Sequence, residues 1–298
     1  QMLSRPIEQI TRQLQELQRA TASLIRVREL LAITGTVADT GRVDLPRGPL
    51  AVAFEGVTFG YEADERVLSD LSFALPAGEI LGVLGRTGSG KTTLTRLLFR
   101  LYDPDSGQIC LGTNGQISDV RRVPLSDIRG RVGMVTQNIQ LFHATVRDNL
   151  TFFDDRIPDD QVLQVLEDVG LGKWLRSLPA GLDTELESGG SGLSAGEAQL
   201  LAFTRIFLQD PGLVILDEAS SRLDPATEHL IEQAVDKLVK GRTAIVIAHR
   251  LATVQRADEV MILENGRIVE HGARAELAGD PTSHFYHLLQ TGMEEMLA

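Results

Sequence analysis

One short stretch, residues 85–93, constrains the fold of this chain more than any other. Its pattern is G-x-x-x-x-G-K-[ST], and it consists of Gly85, Arg86, Thr87, Gly88, Ser89, Gly90, Lys91, Thr92 and Thr93. The run before it, residues 79–84, predicts a short buried strand, and the run after it, residues 94–101, has helical spacing and good helix formers. A strand, a glycine-rich loop and a helix form the context in which this pattern binds phosphate groups.

The chemistry of this loop follows from its residue types. Glycines let the backbone bend so that successive N–H groups point at one ligand, and the helix N-terminus adds partial positive charge at the same place. Lys91 would bridge the β- and γ-phosphates of a nucleoside triphosphate, and the Thr92 hydroxyl would hold Mg²⁺. The simpler alternative is a glycine-rich turn between a strand and a helix that binds no ligand.

Composition narrows the classes of function. The chain has 298 residues, enough for one large domain or two smaller ones. Its net charge is −12, from 29 Lys and Arg against 41 Asp and Glu, which argues against nucleic acid or an anionic membrane surface as a partner. Cys110 is the only cysteine, so no internal disulfide forms and a reducing compartment is expected. No apolar run reaches the length of about 18 residues that spans a membrane, and the start at Gln1 suggests a piece of a longer protein.

Residues 5–33 are predicted to form an amphipathic helix. Isoleucine and leucine recur there at three- and four-residue steps among polar side chains. This stripe consists of Ile7, Ile10, Leu14, Leu17, Leu24 and Leu31. A coiled-coil arm is an alternative interpretation of the same stripe. Residues 34–49 contain several glycines and prolines and are predicted to be a linker.

Residues 50–282 are predicted to form an α/β domain with a mostly parallel sheet and flanking helices, followed by a C-terminal helical tail over 283–298. Turn residues between short apolar pieces in 103–123 favour a small antiparallel β subdomain. Apolar residues recur at helical spacing further on, which predicts a helical subdomain over about 138–210. The predicted strands are residues 51–59 (with a bulge at Gly56), 71–75, 79–84, 131–136, 213–218 and 243–248.

Two of the strand patterns end in residues that suit catalysis. The apolar run from Leu213 ends in Asp217 and Glu218, as in a parallel strand buried on both faces. Ligands of such sheets bind at the carboxyl ends of the strands, so Asp217 can reach Mg²⁺ and Glu218 can polarise a water molecule beside a γ-phosphate. A helix cap is the alternative role for the two carboxylates. The strand over 243–248 ends at His249, for which a structural role is the alternative.

The order of these motifs resembles the nucleotide-binding domain of ATP-binding cassette (ABC) transporters. The resemblance extends over residues 52–279. It is carried by Tyr61, the phosphate loop, Gln137, Leu193-Ser194-Ala195-Gly196-Glu197, Leu213 to Glu218, Leu223-Asp224 and His249. The resemblance implies a domain that binds ATP and Mg²⁺, hydrolyses ATP, and closes head to tail with a second such domain on two ATP molecules.

The resemblance also implies a role for each residue at the chain's own ATP site. Tyr61 would stack on adenine, and Gln137 would contact Mg²⁺ where the domain senses its membrane partner. Asp217 would hold the metal through water, and Glu218 would be the general base. His249 would contact the γ-phosphate.

A second set of residues would face the partner domain. Ser194, Ala195, Gly196 and Glu197 would cap the γ-phosphate of an ATP bound to the opposite subunit, and Asp224 would lie at the dimer interface. The usual signature in this family reads L-S-G-G-Q, so Ala195 and Glu197 depart from it. A Cβ at Ala195 costs about 1 kcal/mol if its φ is positive, and the charge of Glu197 opposes an anionic ligand. These departures predict a heterodimeric transporter with one slow site, and a homodimer that tolerates them is the alternative.

Two further segments, 141–150 and 248–254, resemble those of exporter cassettes. In exporters the last transmembrane helix continues into the cytosol, and residues 1–33 look like its lower end. The resemblance therefore implies the transmembrane domains of the same transporter as partners, a place at the cytoplasmic face of the cell membrane, and no nucleic acid. The alternatives are a soluble ABC-type ATPase that remodels DNA, chromosomes or ribosomes, and a regulatory cassette with slow turnover.

Overall fold

The structure is a computed structural model, and two compact units make up the chain, residues 1–38 and residues 39–298. The described residues are 13, 16–21, 23–28, 31, 37–62, 65–136, 139–190, 192–217, 225–248 and 254–291. Across these ranges, no helix combines the length and the hydropathy that a membrane crossing needs.

In the first unit, residues 16–21 and 23–28 are helical, which confirms part of the predicted N-terminal helix. The hydroxyl of Thr21 donates to the carbonyl oxygen of Leu17 at 2.8 Å, one turn earlier. Leu17 and Leu24, from the predicted apolar stripe, are exposed. The helix therefore presents part of that stripe to solvent.

The unit of residues 39–298 is built from strands and helices in alternation. In chain order, its strands are β1 (Ala51–Glu62), β2 (Glu65–Leu75), β3 (Ile80–Leu84), β4 (Ser106–Thr113), β5 (Gln116–Asp119), β6 (Val132–Val135), β7 (Ala144–Thr145), β8 (Glu185–Leu186), β9 (Leu213–Asp217), β10 (Thr243–Ile247), β11 (Glu259–Glu264) and β12 (Arg267–Ala273). Its α-helices are α1 (Lys91–Leu98), α2 (Leu125–Arg131), α3 (Val146–Thr151), α4 (Asp159–Asp168), α5 (Gly172–Ser177), α6 (Ala195–Gln209), α7 (Pro225–Val239), α8 (Arg274–Gly279) and α9 (His284–Thr291).

The larger sheet has six strands in the order β12-β11-β3-β10-β9-β6. All neighbouring pairs are parallel except β11 and β12, which are antiparallel. Every residue of β10 is buried, as expected for a strand covered on both faces. Ile247 is in register with both Val83 of β3 and Asp217 of β9, so the carboxyl ends of these three strands meet at one edge. This confirms the predicted mostly parallel α/β domain.

The smaller sheet is antiparallel, with the order β2-β1-β4-β5. The register of β1 shifts between Phe54 and Val57, and Gly56 between them has a φ of 60°. This confirms the predicted bulge, which glycine accommodates without a steric cost. β2 begins at Glu65, six residues before the predicted strand over 71–75, because its outer half pairs with the end of β1.

Helix α1 joins the cores of the two sheets. Leu94, Leu97 and Leu98 are fully buried in one cluster that also contains Phe54 of β1 and Leu81 of β3. Burying a leucine side chain contributes about 1.5–3 kcal/mol. The helix that begins at Lys91 is therefore held rigidly by its apolar face, which fixes the position of the loop before it.

The block predicted to be helical is confirmed by helices α3 to α6, which share a second core cluster. Leu150, Val162 and Leu166 pack there with Leu200 and Phe203 of α6. Residues of α6 belong to the same core cluster as residues of β6 and β9. The helical block therefore packs against the edge of the large sheet where these two strands lie.

One hairpin was not predicted from the sequence. Asn265 and Gly266 join β11 to β12 with φ angles of 48° and 73°, as a tight hairpin turn requires. Helix α9 covers the neighbouring part of the sheet, where Phe285 and Leu288 are buried in a cluster with Val260.

Candidate functional site

The loop over 85–90 connects β3 to α1 with three glycines in positive-φ conformations. The φ angles are 150° at Gly85, 83° at Gly88 and 107° at Gly90. Gly90 stands at the N-cap of α1, and no side chain caps that helix end. A Cβ on Gly85 would lie 2.3 Å from the carbonyl oxygen of Leu263. The loop therefore needs glycine both for its conformation and for its close approach to β11.

Gly85→Ala is expected to destabilise the folded domain more than Gly88→Ala does. Both positions have a φ that an L side chain rarely adopts, at a cost on the order of 1–2 kcal/mol. A Cβ at Gly85 additionally meets backbone, whereas a Cβ at Gly88 has nothing within 4 Å, so Gly85→Ala should lose about 1–3 kcal/mol more. Denaturant unfolding followed by circular dichroism measures the difference, and equal losses would contradict the close-approach explanation.

Lys91 lies under the loop, and its side chain is buried. Its Nζ donates to the carbonyl oxygen of Arg86 at 2.9 Å and to that of Gly85. Burial lowers the pKa of the Lys91 ammonium, and the Asp217 carboxylate raises it in part. Val83 of β3 and Asp217 of β9 are both in register with Ile247 of β10, so the end of β9 lies near the start of the loop, as the two strand patterns predict.

Another polar group in the loop, the Ser89 hydroxyl, lacks a hydrogen-bond partner among the described residues. Within the described part of the chain, the buried Ser89 Oγ makes no hydrogen bond. A buried hydroxyl without a partner costs about 1–3 kcal/mol, and such groups are uncommon in native proteins. Ser89 Oγ and the Lys91 ammonium are donors that an anion can accept from.

Tyr61, the predicted adenine-stacking residue, lies on β1 and reaches the same helix as the loop. Its hydroxyl is 3.2 Å from Thr93 Oγ1 on α1, and the residue is 42% exposed. Four other predicted site residues, Gln137, Glu218, Asp224 and His249, lie outside the described residues.

The predicted signature begins helix α6, with Ser194 as its N-cap. The Glu197 carboxylate accepts from the Ser194 backbone N–H at 2.8 Å and from the Ser194 hydroxyl at 2.9 Å, and the Glu197 N–H donates back to that hydroxyl. This is a capping box, which satisfies donors at the helix end. Glu197 therefore accepts from both donors of Ser194, its backbone N–H and its hydroxyl.

The two small residues of the signature have different constraints. Ala195 is helical and is not among the residues with a positive φ, so the strain considered for its Cβ is absent. A Cβ on Gly196 would lie 1.9 Å from Thr227 Cγ2. Gly196 is therefore needed where α6 and α7 approach closely. Of the two departures from the usual signature, only Glu197 changes the charge.

A groove beside α6 carries an aromatic patch that the sequence analysis missed. We define the patch as Phe142, Phe152 and Phe153, all exposed, with ring centroids 6.3 and 5.7 Å from Phe142 to the other two. Phe152 and Phe153 have positive φ angles of 52° and 62°. These residues are spaced irregularly along the chain, so neither helical nor strand periodicity could have grouped them.

Arg205 of α6 forms the floor of this groove. Its guanidinium donates to the carbonyl oxygens of Asn149 and Gln140 and lies 4.7 Å from the Phe152 ring centroid. Burial lowers the pKa of Arg205 to about 10. The helix that carries the signature is thus hydrogen-bonded to the loop beneath the aromatic patch.

Comparisons with known proteins agree with this geometry. The protein-family model described as ABC transporter matches residues 68–221. An ATP-dependent lipid A-core flippase of Vibrio cholerae is 36% identical over 97% of this chain and 50% of its own length. A toxin RTX-I translocation ATP-binding protein of Actinobacillus pleuropneumoniae is 34% identical over 96% of this chain and 40% of its own length.

A solved structure shares the fold. The structure of a bacterial Atm1-family ABC exporter with ATP bound superposes with a TM-score of 0.78 at 30% sequence identity, covering 97% of this chain and 50% of the exporter chain. This chain spans about half the length of the curated relatives it matches.

Proposed function

Because this chain belongs to the ABC transporter family, we propose that it is the ATP-binding and ATP-hydrolysing domain of an exporter. ATP-dependent head-to-tail dimerisation of two such domains would drive transport. The observation that carries the proposal is the buried Lys91 beneath a glycine loop, with Asp217 at the carboxyl end of β9 on the same edge of the sheet. The experiment that tests it measures ATP hydrolysis with and without Mg²⁺, in the wild type and in Glu218→Gln.

The loop suits a triphosphate for three reasons. Lys91 and the unpartnered Ser89 hydroxyl are buried donors, and the N-terminus of α1 carries no side-chain cap. The positive φ angles of Gly85, Gly88 and Gly90 give the loop the bend in which its backbone N–H groups can face one ligand. Lys91 would contact the β- and γ-phosphates, while the residues from Gly85 to Thr93 would surround the chain of phosphates.

Thr92 and Asp217 are suited to Mg²⁺. In the ranges that the structure covers, no group of three or more His, Cys, Asp or Glu side chains could hold a metal alone. A Mg²⁺ ion bound through substrate phosphates, water and one or two protein oxygens needs no such group. When bound, Mg²⁺ neutralises phosphate charge; we assign Thr92, Asp217 and Gln137 as the residues that would hold it.

The remaining roles follow from the family. Tyr61 would stack on adenine. Glu218 would accept the proton of the attacking water as general base, and His249 would hold the γ-phosphate. Asp224 would contribute to the dimer interface.

The groove beside α6 is proposed to receive the transmembrane domains of the same transporter, which would place this domain at the cytoplasmic face of the membrane. Three exposed phenylalanines, of which Phe152 lies over the buried Arg205, form an apolar surface with an aromatic anchor, which is typical of protein interfaces. By the family resemblance, Gln137 would link this docking surface to the metal.

Phe152→Asn is expected to weaken the coupling of ATP hydrolysis to the transmembrane domains at least tenfold without unfolding the domain. Asparagine tolerates the left-handed conformation of Phe152, so the change removes the ring but adds no backbone strain. Aromatic anchors often contribute 2 kcal/mol or more to binding, about 30-fold. Transport-substrate stimulation of ATPase activity in the assembled transporter is the measurement.

The matched control is Ile117→Asn, which removes a comparably exposed apolar side chain from β5. This variant should leave coupling unchanged. Loss of coupling in the control, or full coupling in Phe152→Asn, would argue against the groove as the docking surface.

We further propose that the partner domain is a different chain. The phosphate loop has its full set of residues, whereas at the signature Glu197 accepts from both donors of Ser194. A carboxylate at that place competes with the γ-phosphate of the partner's ATP. The heterodimer would therefore hydrolyse ATP efficiently at this chain's own site and slowly at the other.

A further inference from the structure

The hydroxyl of Tyr61 is fixed by two residues of helix α1. It lies 3.2 Å from Thr93 Oγ1, and Arg96 Nη1 donates to it at 3.0 Å. A phenol oxygen can accept one hydrogen bond and donate another, so both contacts are satisfied together. Arg96 lies outside the phosphate-loop pattern, and that pattern does not account for the contact between Thr93 and Tyr61.

The ring of Tyr61 is held on its other sides as well. Phe59 and Tyr102 pack edge to face against it, with centroid distances of 5.1 and 5.3 Å. The Arg96 guanidinium carbon lies 5.7 Å from the Tyr61 centroid. With 42% of the residue still exposed, the ring is oriented by its neighbours yet keeps a surface for a ligand.

This arrangement joins the base-stacking ring to the phosphate-binding helix. Thr93 and Arg96 lie on the same helix that begins with Lys91. A side chain that is oriented before binding loses less conformational entropy when the ligand arrives. Base–aromatic stacking also depends on ring orientation. The ring that would bind the base and the helix that would bind the phosphates are therefore held at a fixed distance from each other.

We propose that Arg96 is a positioning residue for the nucleobase, acting through the hydroxyl of Tyr61 and with no contact of its own to the phosphates. This inference rests on the proposed function, since it takes Tyr61 as the residue that stacks on the base. On this inference, the Tyr61–Arg96 hydrogen bond contributes to the affinity for the base and not to the affinity for the phosphates.

The experiment compares two ligands, ATP and inorganic tripolyphosphate, which lacks the base and the sugar. Binding of each to the full chain is measured by calorimetry for the wild type, Tyr61→Phe, Arg96→Met and the double variant. Tyr61→Phe keeps the ring and the net charge but removes the hydroxyl. Arg96→Met keeps most of the side-chain length but removes the donors.

Each single variant should weaken ATP binding by about three- to tenfold, the range for one hydrogen bond, and leave tripolyphosphate binding unchanged. The double variant should be no weaker than either single variant, because both remove the same hydrogen bond. A purely structural role for Arg96 would instead lower both ligands' affinities or give additive losses, and either result would overturn the inference.

Two further outcomes separate this inference from the proposed function. If the wild type binds ATP and tripolyphosphate equally well, Tyr61 does not recognise the base, and the positioning role fails while the phosphate loop stands. If the wild type binds neither ligand, the proposed function is itself wrong and the inference falls with it. Unchanged ATP affinity in both single variants would also overturn the inference.

Discussion

Glu218→Gln is expected to reduce ATP turnover by about 10²–10⁴-fold while leaving ATP binding close to that of the wild type. Glutamine has nearly the same shape as glutamate but cannot accept the proton of the attacking water. The phosphate loop is untouched by this change, because it lies between β3 and α1, whereas Glu218 follows β9. Phosphate release and binding of a fluorescent ATP analogue, measured in the assembled transporter, separate the two effects.

Lys91→Ala, in contrast, is expected to weaken ATP binding itself. It removes a buried charged donor from the loop, and a hydrogen bond to a charged group contributes about 1.5–3 kcal/mol. ATP binding should therefore weaken about 10- to 100-fold. Lys173→Ala, on the exposed part of α5, serves as a control with the same loss of charge.

Wild-type turnover in Glu218→Gln would show that another group is the base.

The central part of the fold could be predicted because its signals are local. A phosphate loop specifies the strand before it and the helix after it, and both are present as β3 and α1. Fully apolar runs of five or six residues mark parallel strands, and β9 and β10 lie within a residue of their predicted bounds. The boundary of β2 was misjudged because Glu65 to Asp70 are mostly polar and pair at an edge of the small sheet.

Two local signals in the sequence were not used. Asn-Gly at 265–266 between two strand-like runs is a strong hairpin pattern, and it joins β11 to β12. Ser194 followed three residues later by Glu197 is the pattern of a capping box, which the structure confirms. The sequence analysis treated Glu197 only as a charge facing the partner's ligand, and the structure adds that its carboxylate accepts from the Ser194 N–H and hydroxyl.

Other parts of the site depend on tertiary contacts that no local pattern carries. Tyr61 and Arg96 are 35 residues apart, and their contact exists because β1 and α1 share one core. The aromatic patch brings Phe142 together with Phe152 and Phe153 only through the left-handed turn at the end of α3. Such contacts can be identified only when the packing of the elements is known.

Glu197→Gln is expected to raise the ATPase activity of this chain alone by about tenfold or more. In a pair of identical chains every ATP faces an altered signature, so both sites should be slow in the wild type. Two like unit charges 4 Å apart repel by about 1 kcal/mol in water and about 4 kcal/mol near a protein surface. Glutamine can still cap the helix through its neutral oxygen, so the variant removes the repulsion and weakens the competition for Ser194 without losing the cap.

Ala195→Gly is the matched control, because it restores the usual glycine at the other position where this signature departs from L-S-G-G-Q. Ala195 has no positive φ, so glycine relieves no strain there and costs up to about 1 kcal/mol of helix stability. ATPase activity should be unchanged in Ala195→Gly, and mixing the wild-type chain with a partner cassette that carries an unaltered signature should raise activity as Glu197→Gln does. Full activity of the wild-type chain alone, unaffected by Glu197→Gln, would instead establish a homodimer in which both signature changes are tolerated.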